Sequence, residues 1–215
     1  MKPLRIVIFA KVPKPGFAKR RLIPALGRQG AAALAQRFLV QTLSVAFAAQ
    51  RGSAGSVELC MTPAPSDPLW PIFAIPQGAH GSDQGEGDLG ERLARAAQRV
   101  IEQGEAVLLI GTDCPELGVA ELQQAAHVLQ RVDDPVDATL FPTADGGYAL
   151  LGLNRFHASL FEGIAWGTET VASETRRRFA DLGWSVHPFP PLHDIDEPDD
   201  LKWLPKAWQK ALGHK

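Results

Sequence analysis

Residues 4–22 read Leu4-Arg5-Ile6-Val7-Ile8-Phe9-Ala10-Lys11-Val12-Pro13-Lys14-Pro15-Gly16-Phe17-Ala18-Lys19-Arg20-Arg21-Leu22. The near-continuous apolar run Leu4–Ala10 is the pattern of a parallel strand covered on both faces. The segment after it is cationic and stiff. Lys11, Lys14, Lys19, Arg20 and Arg21 crowd into it, Pro13 and Pro15 push Val12 and Lys14 toward extended backbone, and Gly16 permits a turn and a close backbone approach. Ligands of open α/β sheets bind outside the carboxyl ends of the strands. A stiff basic loop in that place suits a diphosphate better than it suits a merely solvated turn. It is not a Walker loop, because GxxxxGK[ST] is absent.

Outward from this stretch, strand and helix patterns alternate. Leu34, Phe38, Thr42, Val45 and Ala49 recur at helical spacing, ended by Gly52, Ser53, Gly55 and Ser56. Strands are expected at 57–61 and 72–75, a polar glycine-rich loop at 76–88, and an amphipathic helix over 89–101 with Asp88 as its N-cap. Ala106–Ile110 is a second fully apolar run, followed by a helix from Val119 to Leu129. Strands at 138–141 and 148–153 flank the tight loop Ala144-Asp145-Gly146-Gly147 and imply an antiparallel member. Thr168 is expected to cap a helix reaching Arg178. A short strand at 185–189 comes next, and then a helical end with a break at Pro205. The expectation is a single α/β domain over 1–215, a three-layer α/β/α arrangement with a mostly parallel sheet.

Composition sets the bounds. The chain has 215 residues, is 45% apolar and carries a formal net charge of −2. That length supports a full core without staples, and that charge gives no argument for nucleic acid or a membrane surface. Cys60 and Cys114 cannot form a disulfide framework, and no Cys/His spacing fits zinc. The apolar run at residues 6–10 is too short for a signal-peptide core or a membrane span, so a cytoplasmic location is the default expectation.

Further segments bear on chemistry. In Leu109-Ile110-Gly111-Thr112-Asp113-Cys114-Pro115, an acid stands just past the end of an apolar strand, on the same edge as the basic loop. A hard carboxylate there suits Mg²⁺ or Mn²⁺ on phosphates. In His193-Asp194-Ile195-Asp196-Glu197-Pro198-Asp199-Asp200, alternation puts Asp194 and Asp196 on one side of an extended segment, where they can share a cation; Asp199 and Asp200 are better placed to cap the last helix. Gly87 and Asp88 open a helix and can lie against a base or ribose. Trp166 can stack on a sugar or acceptor ring or fill the core. Arg21 can pair with an acid while the site is empty. Cys114 lacks an activating His and reads as packing.

Taken in order, KVPKPGFAKRRL, QGEGDLGERL, LLIGTDCPEL, ADGGYALLGL, AWGTETV and DIDEPDDL resemble a bacterial family of GT-A superfamily transferases. These are the radical-SAM/selenodomain-associated or arsenosugar-biosynthesis-associated transferases. The resemblance covers nearly the whole chain, and the pattern is also similar to phospholactate and molybdenum-cofactor guanylyltransferases. It implies a nucleotide-diphospho-sugar transferase fold, with Asp113 as the metal-binding acid and Lys19 and Arg21 at the phosphates. The candidate assignment is then Asp113, Asp145 and Lys19 as catalytic. Lys11, Lys14, Gly16, Lys19, Arg21, Gly87, Asp88, Gly146, Gly147 and Trp166 are assigned to nucleotide or substrate, and Asp113, Asp194 and Asp196 to the metal. The implied partners are a nucleotide-sugar or nucleoside triphosphate and a small acceptor. The chain departs from the family pattern at Arg20, where Thr is common, and at Gly167, where Ser is common; the latter removes a hydroxyl on the acceptor side.

Overall fold

The computed structural model describes residues 2–51, 55–70, 76 and 78–211. The strands are β1 Leu4–Lys11, β2 Gly55–Thr62, β3 His80–Asp83, β4 Ala106–Ile110, β5 Ala138–Pro142, β6 Tyr148–Leu153 and β7 Val186–Pro188. The α-helices are α1 Ile23–Ala49, α2 Leu89–Glu102, α3 Val119–Leu129, α4 Val171–Asp181 and α5 Lys206–Ala211. The strands form one sheet in the order β3-β2-β1-β4-β6-β5-β7. β6 is antiparallel to both its neighbours, and the other pairings are parallel.

Strand periodicity builds the layers. On β1, Leu4, Ile6, Ile8 and Ala10 pack with Leu39, Leu43 and Ala46 of α1 and with Leu122 and Leu129 of α3. Val7 faces the other way, into the core made with Leu93, Ala97 and Val100 of α2 and Ala172 and Phe179 of α4. The helix over 20–49 is long and apolar enough to cross a membrane by length and composition, but Leu39, Leu43 and Ala46 pack it against the sheet on the α3 side. Within it Gly27 leaves helical geometry (φ 69°, ψ 169°), so the first turn is kinked from the rest.

The order diverges at β1, with β2 and β3 on one side and β4 on the other. This is the switch point at which open sheets bind ligands. The segments after β1, β4, β5 and β7, and the start of antiparallel β6, therefore share one edge.

Two local expectations need correction. The loop expected at 76–88 contains β3, a strand with the polar sequence HGSD at the sheet edge. An edge strand exposed on both faces has no apolar alternation to reveal it. The residue entering α4 is Thr170, without a side-chain cap. Thr168 instead donates its hydroxyl to the Ala165 carbonyl at 2.7 Å. The strand expected at 72–75 lies outside the described residues.

Candidate active site

The loop after β1 is held by its own backbone: Lys14 N–H donates to the Val12 carbonyl (2.8 Å) and Phe17 N–H to the Lys14 carbonyl (3.0 Å). Gly16 takes φ +78° at the turn. Lys19 then adopts φ 46°, ψ 49°, the one non-glycine residue with positive φ among the described residues. Such a backbone costs about 1 kcal/mol or more and persists only where surrounding contacts fix it. Here they do. The Lys19 ammonium donates to Asp113 Oδ2 at 3.1 Å, Asp196 Oδ1 at 2.6 Å and the Ile195 carbonyl at 2.7 Å. Its three donors are matched by three oxygens. The ammonium also lies over the Phe38 ring, 5.6 Å from its centroid.

Burial works against the charge on Lys19, but Asp113 and Asp196 outweigh it and hold the ammonium above its ordinary pKa. Burial likewise opposes ionisation of Asp113, and Lys19 outweighs it, so Asp113 is held below the usual carboxylate range.

The two acidic segments are tied to each other through the backbone. Ile195 N–H donates to the Asp113 carbonyl at 2.9 Å, and His193 N–H to Glu116 Oε2 at 2.8 Å. Ile195 is fully buried. It packs with Leu22, Leu34, Phe38, Leu201, Leu204 and Trp208 in a small separate core. With Ile195 facing inward, Asp194 and Asp196 must face the other way. Asp196 meets Lys19. Asp194 is pushed up to about 7, first by burial and then by Asp145, Asp113 and Asp196. Of the two acids expected to cap the last helix, Asp200 binds the turn, its Oδ2 accepting from Asp196 N–H (3.0 Å) and Glu197 N–H (2.7 Å), and Asp199 does not.

On the opposite wall, Asp145 Oδ1 accepts from the Thr143 hydroxyl (2.5 Å) and Gly147 N–H (2.9 Å). Gly146 has φ +91°, and a Cβ there would overlap the Glu169 backbone. Its carbonyl accepts from Ala172 N–H at 2.8 Å, fastening this loop to α4. Tyr148 and Trp166 meet edge to face with centroids 6.3 Å apart. The Tyr148 hydroxyl and the Trp166 indole nitrogen are buried without a hydrogen-bond partner among the described residues.

These walls enclose a cleft of about 540 Å³. Of the residues singled out from sequence, Lys11, Lys19, Arg21, Asp113, Asp145, Gly147, Trp166, Asp194 and Asp196 line it. Lys14, Gly16, Gly87, Asp88 and Gly146 do not line it. Lys14 is exposed on the outside of its turn, and Gly16 and Gly146 supply backbone geometry. Asp88 forms a reciprocal capping box with Glu91, with bonds of 2.9 and 2.8 Å, and Gly87 sits against the Glu91 carboxylate.

Sequence reading passed over Phe17, Arg20 and Tyr148, which also line the cleft. The position of Tyr148, directly after the ADGG loop, was the available signal. Arg21 does pair with an acid, loosely, with Glu197 at 3.7 Å, while Lys19 takes Asp113 and Asp196. Lys11 stands over the Phe17 ring at 4.1 Å.

The raised pKa of Asp194 has a consequence for stability. An acid whose folded pKa is raised folds more readily protonated. Its ionisation between the ordinary 3.8 and about 7 removes stability as the pH rises. Asp194→Asn is expected to stabilise the metal-free protein by about 1–2 kcal/mol at pH 8, below the full linkage value because the carboxyl keeps solvent contact. The gain should vanish by pH 4. Urea unfolding at both pH values checks this; an equal gain at both would remove the ionisation argument.

A profile of the family described as "Uncharacterized protein conserved in bacteria (DUF2064)" matches residues 42–168. A search of curated proteins returned no significant match. Among solved structures, the chain is similar to a "putative nucleotide-diphospho-sugar transferase" from Desulfovibrio desulfuricans G20. The two share 30% identity and a TM-score of 0.82, over 96% of this chain and 88% of that one. It is similar in fold to 4-diphosphocytidyl-2C-methyl-D-erythritol synthase from Anaerococcus prevotii DSM 20548, with 13% identity and a TM-score of 0.62 over 97% and 99% of the two chains. The manganese complex of Rv0371c from Mycobacterium tuberculosis H37Rv is a further match in fold, with 17% identity and a TM-score of 0.50 over 95% and 98%.

Proposed function

This chain belongs to the DUF2064 family of proteins conserved in bacteria, and on that footing we propose that it is a cytoplasmic transferase that uses a nucleotide, with a nucleotide-diphospho-sugar as donor. One observation carries the reading: the Lys19–Asp113–Asp196 cluster stands at the sheet's switch point beside the exposed cations Lys11, Arg20 and Arg21. Those cations bind the diphosphate through charge-assisted hydrogen bonds. Trp166 and Tyr148 form the wall against which a sugar or acceptor ring rests. Asp145 and Asp194 orient the acceptor hydroxyl. Its oxygen bonds to the anomeric carbon as its proton passes to the Asp145 carboxylate, the bond from that carbon to the diphosphate oxygen breaks, and a nucleoside diphosphate leaves.

The donor set suits Mg²⁺ or Mn²⁺. Two carboxylates and a carbonyl already converge on a cation, the Lys19 ammonium, although among the described residues no group of three or more acids, His or Cys is arranged to hold a metal as it stands. Asp113 and Asp196, with Asp194 alongside, would hold the ion. When bound, it neutralises charge on the leaving diphosphate.

Nucleotidyl transfer is the second reading, favoured by Lys11 and Arg20, which have no acidic partner among the described residues and suit a leaving pyrophosphate. In that case the acceptor oxygen attacks the α-phosphorus. Product analysis on a panel of nucleotide-sugars and nucleoside triphosphates separates the two. A nucleoside diphosphate released from a nucleotide-sugar is the expected result, and pyrophosphate released from a triphosphate would replace it with the second reading. Tight binding with no product from either class would leave a nucleotide-binding protein in place of an enzyme.

A further inference from the structure

The cation in the acidic cradle belongs to the chain itself. Lys19 reaches the cradle from the protein side, its side chain only 11% exposed, while the Asp113 and Asp196 side chains keep 39% and 40% exposure toward the cleft. A purely structural ion pair would have no reason to leave its carboxylates open to a ligand cavity. Every ammonium donor is used, and the acceptors come from two segments, around Asp113 and around Ile195, that are hydrogen-bonded to each other. The backbone of Lys19 is held in the left-handed region to make this reach.

We propose that Lys19 is a resident counter-ion that keeps free divalent cations out of the Asp113–Asp196 cradle, so that a metal enters only together with a nucleoside diphosphate. The inference rests on reading the cleft as a metal-assisted nucleotide site. With the ammonium in place, a divalent cation meets a cradle whose charge is already half neutralised. It also meets a like charge within hydrogen-bond distance of both carboxylates, and the repulsion acts at short range under low dielectric. A diphosphate changes the balance. It brings its own negative charge to the metal, and it offers the ammonium new acceptors once the flexible lysine stem swings toward the cleft. Metal and diphosphate then favour each other's binding by the same factor, as linkage requires.

The experiment measures Mn²⁺ affinity by electron paramagnetic resonance, first with Mn²⁺ alone and then with UDP, CDP or GDP. Wild type should bind Mn²⁺ weakly alone and about tenfold or more tightly with the matching diphosphate. Lys19→Met should bind Mn²⁺ alone about tenfold or more tightly than wild type and lose most of the enhancement by diphosphate. Lys19→Gln, which keeps a polar group between the carboxylates, should show the same gain, and it guards against a Met variant that fails to fold. Folded variants that bind Mn²⁺ alone no better than wild type would overturn the proposal. Diphosphate binding to wild type in the presence of saturating Mn²⁺ is read separately: its absence counts against the nucleotide site itself, whatever the lysine variants do with Mn²⁺ alone.

Discussion

Asp113→Asn is expected to lower transfer by about a hundredfold while leaving a folded protein. Asp113 follows β4, whose five residues are all buried, so its position is set by the core and survives the substitution. The amide keeps the size of the side chain and loses its charge. Lys19 retains Asp196 and the Ile195 carbonyl, so its ammonium is not left unpaired and the melting temperature should fall only modestly. Transfer loses a charge at the leaving diphosphate. A hundredfold is about 2.7 kcal/mol in the transition state, within the range of a single charge-assisted contact. kcat/KM measured on variant and wild type, matched by circular dichroism, checks this. A loss below about threefold would place Asp113 outside the chemistry.

The largest effect on stability is expected from Glu58→Gln, far from the cleft. Glu58 on β2 is almost fully buried. It accepts from Arg99 of α2 at 2.9 and 2.5 Å, from Arg5 of β1 at 3.2 Å and from the Ser82 hydroxyl of β3 at 2.5 Å. One carboxylate thus joins three strands to a helix. Replacing it with an amide leaves Arg99 short of a counter-charge while Arg5 keeps Glu105, and breaking a buried pair from one side costs up to about 3–5 kcal/mol.

Burial opposes the ionisation of Glu58, but Arg99, Ser82 and Arg5 outweigh it, and its pKa is held below 4.5. Its contribution is therefore complete above pH 4.5 and fades as the pH falls through the lower folded value. Urea unfolding should show the full difference between variant and wild type at pH 7 and a narrower one at pH 3. A difference that stays constant with pH would mean that packing, not charge, holds this junction.

The same junction explains part of what the sequence could not reveal. β3 reads as loop because His80, Gly81, Ser82 and Asp83 have no apolar alternation. The strand is held by pairing to β2 and by Ser82 on Glu58, and neither leaves a periodic trace. The alternating apolar strands and helices were legible because burial on both faces of the sheet demands them. The basic loop and Asp113 were legible as residents of one edge because parallel topology carries the ends of successive strands there.

The partner of Lys19 was not legible. Asp196 lies 177 positions further along the chain, and only the folded backbone decides that Lys19, and not Arg21, reaches it. Asp88 was read correctly as a cap, and its further use against a base or ribose gains no support from its place outside the cleft. The choice of Asp200 over Asp199 depended on which side of a turn each faced, a distinction of one residue that composition cannot make.

The small core beneath the acids has a last consequence. Ile195 and Phe38 are shared between the acidic wall of the cleft and a cluster completed by Leu201, Leu204 and Trp208 from the C-terminal end, with Arg37 laid over the Trp208 ring at 4.0 Å. This cluster is distinct from the two cores on either face of the sheet. A unit with its own few apolar contacts opens at lower free energy than the sheet to which it is attached. The acidic half of the cleft is therefore mounted on the part of the molecule expected to open first. Warming short of global unfolding is expected to loosen Asp194, Asp196 and the end of the basic loop at Leu22, which shares this cluster, while the sheet still stands, so that ligand binding fades before the fold does.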